Sequence, residues 1–130
     1  MAKSLKQQLR SALGAIPHLE EGEGGVFHPD QPGFFVDGRL VVEFVDNNSV
    51  GVRLTRPRIR IRKAELASDT RVEPVRSGTD WVAIHFRRVS DLPWIVDLAE
   101  DAVGAYVPGD GRPLRPPPTG AALDRLRRFH

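Results

Sequence analysis

Two tight turns in the first half of the chain divide an apolar region into three consecutive strands. The dipeptide Asp37-Gly38 is a two-residue hairpin signal that directly follows the apolar run Phe34-Phe35-Val36. The return strand, Arg39–Asp46, ends at Asn47-Asn48, which turns the chain into a further strand over 49–55. Because each connection has only two residues, neighbouring strands must pair antiparallel. The sequence therefore predicts an antiparallel meander.

Two amphipathic segments predict helices on either side of these strands. Ser4 and Gln7 have the spacing of a capping box, and apolar residues recur behind them at helical spacing, which predicts a helix over 4–16. Ser90 is a suitable N-cap for a second helix over 90–107. Each helix carries one apolar stripe, as expected of a helix that covers a sheet.

The remaining segments are shorter. We expect strands over 26–28, 71–75 and 80–87, and an acidic loop over 17–25.

Residues 56–68 fit two structures. Ile59 and Ile61 alternate with arginines, which is a strand pattern, whereas the residues from Lys63 to Ala67 are good helix formers. We interpret this stretch as an extended entry followed by a short helix.

Together these elements predict an α+β domain over 1–107. Its antiparallel sheet of about five to six strands is covered on one face by the N-terminal and C-terminal helices. Residues 108–130 form a proline-rich arm that leads to a short basic amphipathic helix, with apolar residues at spacings of three: Leu123, Leu126 and Phe129. We expect this helix to dock on its own domain, a second copy, a protein partner or an anionic surface, or to stay disordered.

Composition excludes several classes of function. The net charge is only +2, so polyanion binding is not the default interpretation. The chain has no cysteine, which excludes disulfides, thiolate zinc sites, iron–sulfur clusters and cysteine nucleophiles. No apolar run approaches the ~18 residues of a spanning helix, and no signal peptide is recognisable. We therefore expect a cytoplasmic protein.

No motif indicates a catalytic or metal site. The four histidines, His18, His28, His85 and His130, lack metal-ligand spacing, and no serine lies in a nucleophile elbow. We predict no catalytic residue, metal or cofactor, although an enzymatic function stays open.

The candidate ligand site follows from strand periodicity, which places alternate residues on opposite faces. Leu40, Val42 and Phe44 are expected inside, and Val41 and Glu43 outside. The same rule on neighbouring strands gives a candidate ligand-binding set on the outer face: Arg39, Glu43, Arg53, Trp81 and His85. Such a set could orient a small anionic or aromatic ligand. The alternative is a solvated sheet face whose charges pair across strands.

A run of basic residues is the nucleic-acid candidate. Within eleven residues it holds six cations and no acid, and beyond Arg53 these are Arg56, Arg58, Arg60, Arg62 and Lys63. They could neutralise several phosphates, although no aromatic residue interleaves with them for base stacking. Alternatively, charges at alternate strand positions protect a sheet edge from unwanted pairing.

Several short motifs carry a family resemblance. They are Phe34-Phe35-Val36-Asp37-Gly38-Arg39, then Asp69-x-Arg71-Val72-Glu73, then Ser77-Gly78-Thr79-Asp80-Trp81-Val82. Over 33–105 the chain resembles the bacterial and fungal luciferase-domain family, whose function is unknown. That family tends to carry a His-x-His pair where this chain has Glu43-Phe44-Val45, so a histidine-dependent role does not transfer.

The order of elements is also similar to that of the double-wing proteins, which are sometimes considered DNA binders. This second similarity is one of topology alone. Neither resemblance implies light emission or a flavin.

Two functions follow from these expectations. The leading hypothesis is a small non-catalytic binding or interaction domain that uses the outer sheet face, the C-terminal arm, or both. The alternative is a ligand-sensing or enzymatic domain on the outer face, or a weak nucleic-acid-binding module through the basic run. A pocket over the outer-face residues would favour the ligand-sensing or enzymatic domain, and a flat face the interaction domain.

Overall fold

The computed structural model describes residues 4–22, 24, 27–75 and 78–107. The predicted arm over 108–130, with Leu123, Leu126 and Phe129, lies outside the described residues. None of the described helices is long and apolar enough to cross a membrane.

Helix α1, Leu5–Gly14, begins at the predicted capping box. The Ser4 hydroxyl accepts the Gln7 amide at 3.1 Å, and the Gln7 side chain accepts the Ser4 amide at 3.2 Å. Two amides that have no partner within the helix are thereby satisfied. Leu9 and Leu13, four residues apart, are fully buried and anchor the helix to the core.

The fold is α+β, with one five-stranded antiparallel sheet in the order β1-β2-β3-β4-β5. Its strands are β1, Glu20–Gly22; β2, Gly33–Val36; β3, Arg39–Asp46; β4, Ser49–Arg53; and β5, Trp81–His85. The predicted meander is thus confirmed, and it forms the centre of the sheet.

The first strand lies where an acidic loop was expected. β1 pairs with β2, and its Glu21 forms an ion pair with Arg10 of α1. A short edge strand rich in carboxylates resists pairing with other chains. The strand predicted over 26–28 is wrong for its two described residues, since Phe27 and His28 lie in a loop.

The strand predicted over 71–75 is reduced to a single bridge between Val72 and Ile84. The Glu73 amide still donates to Ala83 at 3.0 Å, and the His85 amide donates to Arg71 at 2.8 Å. Pro74 follows at once and has no amide hydrogen, so the ladder cannot continue.

A bulge in β3 changes the expected alternation. Phe35 pairs with Leu40 while Phe34 pairs with Val42, which leaves Val41 as an extra residue. Val41 is fully buried in the core, whereas Leu40 is buried outside the core cluster. The prediction of Leu40 inside and Val41 outside is therefore wrong, and the inward positions of Val42 and Phe44 are confirmed.

The ambiguous stretch forms two short helices, α2, Arg56–Ile61, and α3, Lys63–Ser68. The extended entry predicted before the short helix is wrong. Thr55 turns the chain at φ 79°, and Pro57 then fits the first turn of α2. Ile59 packs against the core while Ile61 is 59% exposed, so the two isoleucines do not share one face as they would in a strand.

Helix α4, Leu92–Tyr106, follows a 3₁₀ turn at Val89–Asp91 and packs on β3, β4 and α1. Its buried stripe is Leu92, Ile95, Leu98, Ala99, Ala102 and Val103. These side chains join Leu9 and Leu13 of α1 in the same core as the inner face of the sheet. The other face is left for the site.

Candidate functional site

The five outer-face residues of the sequence prediction fall into three groups. Arg39, Arg53 and Trp81 belong to a surface built around Tyr106, Glu43 is held under a loop, and His85 is hydrogen-bonded at the other end of β5. No single constellation of all five exists.

The first group is a chain of alternating rings and guanidinium groups, here called the arginine–aromatic stripe: Phe27, Trp81, Arg53, Tyr106 and Arg39. The Phe27 ring meets the Trp81 ring edge-to-face, with centroids 5.9 Å apart. The Arg53 Cζ lies 6.0 Å from the Trp81 centroid and 5.6 Å from that of Tyr106. The Arg39 Cζ lies 6.0 Å from the Tyr106 centroid.

Sheet register places the middle of the stripe. Arg53 and Trp81 are directly paired across β4 and β5, and Val52 and Val82 beside them are buried in the core. Because successive side chains alternate, Arg53 and Trp81 must point away from the core. Antiparallel order also brings the start of β3 to the same end of the sheet. Arg39 is paired there with the core residue Val36, so the bulge places it on the helix side and its predicted outer-face position is wrong.

Two rings of the stripe come from elements outside the sheet. Tyr106 is the last residue of α4, and it packs partly against the core. Phe27 lies in the loop before β2 and is 65% exposed. Tyr106, which contacts Arg53, and Phe27, which contacts Trp81, both lie outside the strands, which is why strand periodicity missed them.

The cations of the stripe are poorly neutralised. The Arg53 Nε is buried and has no hydrogen-bond partner among the described residues. The Asp80 carboxylate approaches the Arg53 guanidinium only to 3.9 Å, far beyond the ~2.8 Å of a charge-assisted hydrogen bond. Burial raises the pKa of the Tyr106 hydroxyl, against the opposing effect of Arg53, so the ring stays neutral at physiological pH.

Glu43 occupies an unexpected environment. It was predicted on a solvated face, yet it is only 3% exposed. One carboxylate oxygen accepts the backbone amides of Phe27 at 2.9 Å and His28 at 3.0 Å, and the other lies 3.3 Å from the His28 Nδ1. Glu43 therefore fastens the loop that carries Phe27 onto Trp81.

The space for that loop comes from small residues around Glu43. Gly33 and Gly51 are its partners on the two neighbouring strands. A Cβ built on Gly51 would already lie 3.4 Å from the Trp81 ring. Larger side chains in this row would displace the indole or the loop, so the glycines position the stripe indirectly.

The third group links Ser49, His85 and Glu73. The Ser49 hydroxyl is 2.9 Å from the His85 Nδ1, and the Glu73 carboxylate is 2.9 Å from the His85 Nε2. The order resembles a nucleophile, base and orienting acid, but Ser49 is only 4% exposed and a substrate cannot reach its hydroxyl in this arrangement. The chain of hydrogen bonds joins β4, β5 and the segment before Pro74.

The predicted basic run is partly neutralised by α4. Arg58 binds Asp101 at 3.0 Å, and Arg62 binds Asp101 at 2.9 Å and Asp97 at 3.0 Å. The other three cations of the run are exposed: Arg56, Arg60 and Lys63. The helical structure therefore turns two of the five predicted phosphate ligands toward carboxylates.

Among the described residues, none of the stripe lines either of the two best-formed depressions. One, of about 170 Å³, lies beside Gly38 and Val107, the chain neighbours of Arg39 and Tyr106, and the other, of about 280 Å³, lies beside Lys6 and Asn47. In the part of the chain that the structure describes, no three metal-ligating side chains come together.

No protein-family model, curated protein or solved structure matches this chain. The resemblance to the luciferase-domain family stays a prediction.

Proposed function

We propose that this chain is a non-catalytic interaction domain that binds an anionic partner through the arginine–aromatic stripe. The observation that carries the proposal is the position of Arg53, held between two rings with its Nε buried and without an acceptor among the described residues. Since the Arg53 side chain as a whole is 35% exposed, an incoming anion would bind the accessible edge of its guanidinium group rather than the buried Nε.

The composition of the stripe supports this function. Tryptophan, tyrosine and arginine are the residues that most often dominate binding energy at protein interfaces. Rings on both sides hold the Arg53 side chain, so less conformational entropy is lost when a partner binds. A rigid cation flanked by rings is suited to binding anions.

The shape of the surface favours a macromolecule over a small metabolite. Small-molecule sites are concave and bury most of the ligand. The stripe instead runs along one end of the sheet, and none of its five residues lines either of the two best-formed depressions. This distinction supports the interaction domain over the ligand-sensing or enzymatic alternative.

The resemblance to the luciferase-domain family is compatible with the proposal, because Arg39 and Trp81 of the stripe lie within the motifs that carry it. The cytoplasmic location expected from the sequence likewise stays a prediction. A protein partner or second copy bound through the arm over 108–130 is a separate proposal, which the experiment below does not address.

The test compares two double variants with equal loss of charge. Arg39→Gln with Arg53→Gln alters the stripe, whereas Arg60→Gln with Lys63→Gln alters exposed cations of α2 and α3. Binding of the full chain to three polyanions, heparin, poly-L-glutamate and oligothymidylate, is measured at low ionic strength. We expect the stripe variant to bind at least one polyanion roughly tenfold more weakly than the control variant, as for the loss of one to two charged hydrogen bonds.

Three results would contradict the proposal. Equal losses in both variants would indicate attraction by net charge alone. A larger loss in the α2–α3 variant would assign binding to the basic run instead. Failure of the unmodified chain to bind any of the polyanions would remove an anionic partner altogether.

A further inference from the structure

The geometry points to a single-stranded nucleic acid as the partner of the arginine–aromatic stripe, with bases stacking on Phe27 and Trp81 and phosphates binding Arg53 and Arg39. This inference rests on the proposed function and specifies its ligand class.

The alternation of rings and cations is what distinguishes this partner from an acidic polypeptide. A carboxylate needs only the guanidinium groups, and it gains nothing from an exposed phenyl ring. Each unit of a single strand carries both an aromatic face and an anion, which is why single-strand-binding surfaces combine basic tracks with stacking platforms. The stripe supplies both features in one continuous row.

Phe27 is the observation that an acidic peptide leaves unexplained. The residue is 65% exposed although its backbone amide is fixed to the buried Glu43 carboxylate at 2.9 Å. The fold therefore holds an apolar ring in water beside Trp81. Because Glu43 already fixes the loop, a partner can cover this ring without a further entropic cost for ordering the loop. A stacked base would cover that ring.

The positive track continues beyond the stripe toward α2. Asp80 lies between them, since one of its oxygens accepts the Arg56 amide at 3.1 Å while the other faces the Arg53 guanidinium at 3.9 Å. The Arg56 side chain is exposed and makes no ion pair among the described residues. A strand whose bases stack at the Phe27 end can thus continue toward this cation at the other end.

This arrangement also answers the objection raised by the sequence. The basic run contains no aromatic residue, which argued against base stacking. Tertiary structure places Trp81 and Tyr106 on Arg53, the first cation of that run. The rings come from positions remote in the chain.

The experiment measures oligothymidylate binding to the full chain through the fluorescence of Trp81, in a Trp94→Phe background so that only one indole reports. We expect quenching on binding, and roughly 5- to 100-fold weaker binding for Phe27→Ala, as for the loss of one stacked base. Because Phe27 is mostly exposed, this variant keeps the fold. Arg39→Gln with Arg53→Gln should also lower the slope of log affinity against log salt by about 1.4, since each phosphate contact contributes about 0.7 on single strands.

The control ligand is poly-L-glutamate. The control variant is the double substitution Arg127→Gln with Arg128→Gln. Phe27→Ala should leave poly-L-glutamate binding unchanged, and the Arg127/Arg128 variant should retain Trp81 quenching. Binding of poly-L-glutamate without binding of oligothymidylate would overturn the inference in favour of an acidic polypeptide and leave the proposed function standing. Oligothymidylate affinity unchanged in Phe27→Ala, or binding without Trp81 quenching, would also overturn it. Failure to bind oligothymidylate, poly-L-glutamate and heparin alike would remove both proposals.

Discussion

The two faces of the sheet are built by different rules. The inner face follows strand alternation, and Val42, Phe44, Val52 and Ile84 are all fully buried against the helices. The outer face places a carboxylate, Glu43, among glycines and covers it with a loop. Apolar burial needs only the right periodicity, whereas a buried carboxylate needs specific donors. The contrast shows why one face follows from a pattern and the other from particular contacts.

The largest expected difference between the faces is in stability. Phe44→Ala removes a fully buried ring that lies 6.3 Å from Phe34 and 6.4 Å from Phe86, centroid to centroid. We expect the free energy of unfolding to fall by about 3–5 kcal/mol, measured by chemical denaturation. Phe27→Ala on the outer face is the matched control and should change it by less than about 0.5 kcal/mol. Similar losses in both variants would mean that the outer ring is also part of the core.

A smaller effect is expected at Glu43. Replacing it with alanine leaves the amides of Phe27 and His28 without their acceptor, which should cost about 1–3 kcal/mol. Under conditions in which the domain remains folded, these two amides should exchange their hydrogens faster in Glu43→Ala than in the unmodified chain. Glu43→Gln keeps one acceptor oxygen and should lose less. Unchanged exchange in Glu43→Ala would show that the carboxylate does not fasten the loop.

The third prediction concerns the pH dependence of the stability that Asp69 and Asp91 contribute. The amides of Arg87 and Arg88 lower the pKa of Asp91 against the effect of burial, and the side chain of Arg71 similarly lowers that of Asp69. Since both folded pKa values lie below the unfolded value of about 3.9, the stability they contribute is complete above that pH. It is lost as the pH falls through the lower folded values.

Denaturation measured between neutral and acidic pH checks this behaviour. Asp91→Asn should be less stable than the unmodified chain at neutral pH and should lose less stability on acidification. Asp30 is exposed and makes no ion pair among the described residues, so Asp30→Asn is the control. A pH profile of Asp91→Asn parallel to that of the unmodified chain would contradict the assignment.

The smallest effect is expected at Gly51. An alanine Cβ there would lie 3.4 Å from the Trp81 ring and 3.7 Å from the Glu43 carbonyl oxygen, at the limit of ordinary contact. Gly51→Ala should therefore change stability by less than about 0.5 kcal/mol, whereas Gly51→Val should shift the fluorescence of Trp81. An unshifted spectrum in Gly51→Val would mean that the small-residue row does not position the indole.

Local signals account for the parts of the fold that sequence analysis predicted. The capping box at Ser4, the turn at Asp37-Gly38 and the apolar alternation around Val42 each depend on residues close in the chain. The failures occur where a distant element overrides the local pattern. Helix α2 forms where an extended entry was predicted, and its Arg58 binds Asp101 of α4, while Leu40 and Val41 exchange faces because the ladder with β2 contains a bulge.

The candidate site divides in the same way. Alternation alone identified Arg53 and Trp81 as neighbours on the outer face, and their pairing in register confirms that geometry. Nothing near Arg53 in the chain indicates Tyr106 or Phe27, because one is positioned by the end of α4 and the other by the Glu43 carboxylate.

The sequence by itself thus determined an antiparallel meander with a capped first helix and an apolar inner face, because turns, caps and periodicity are short-range properties. Only the tertiary structure decided what the outer face presents. It buried Glu43, turned Arg58 and Arg62 toward α4, and left Arg53 between two rings without an acceptor among the described residues. Those outcomes depend on which distant groups meet in space, since a charged side chain takes its role from its partners rather than from its neighbours in the chain.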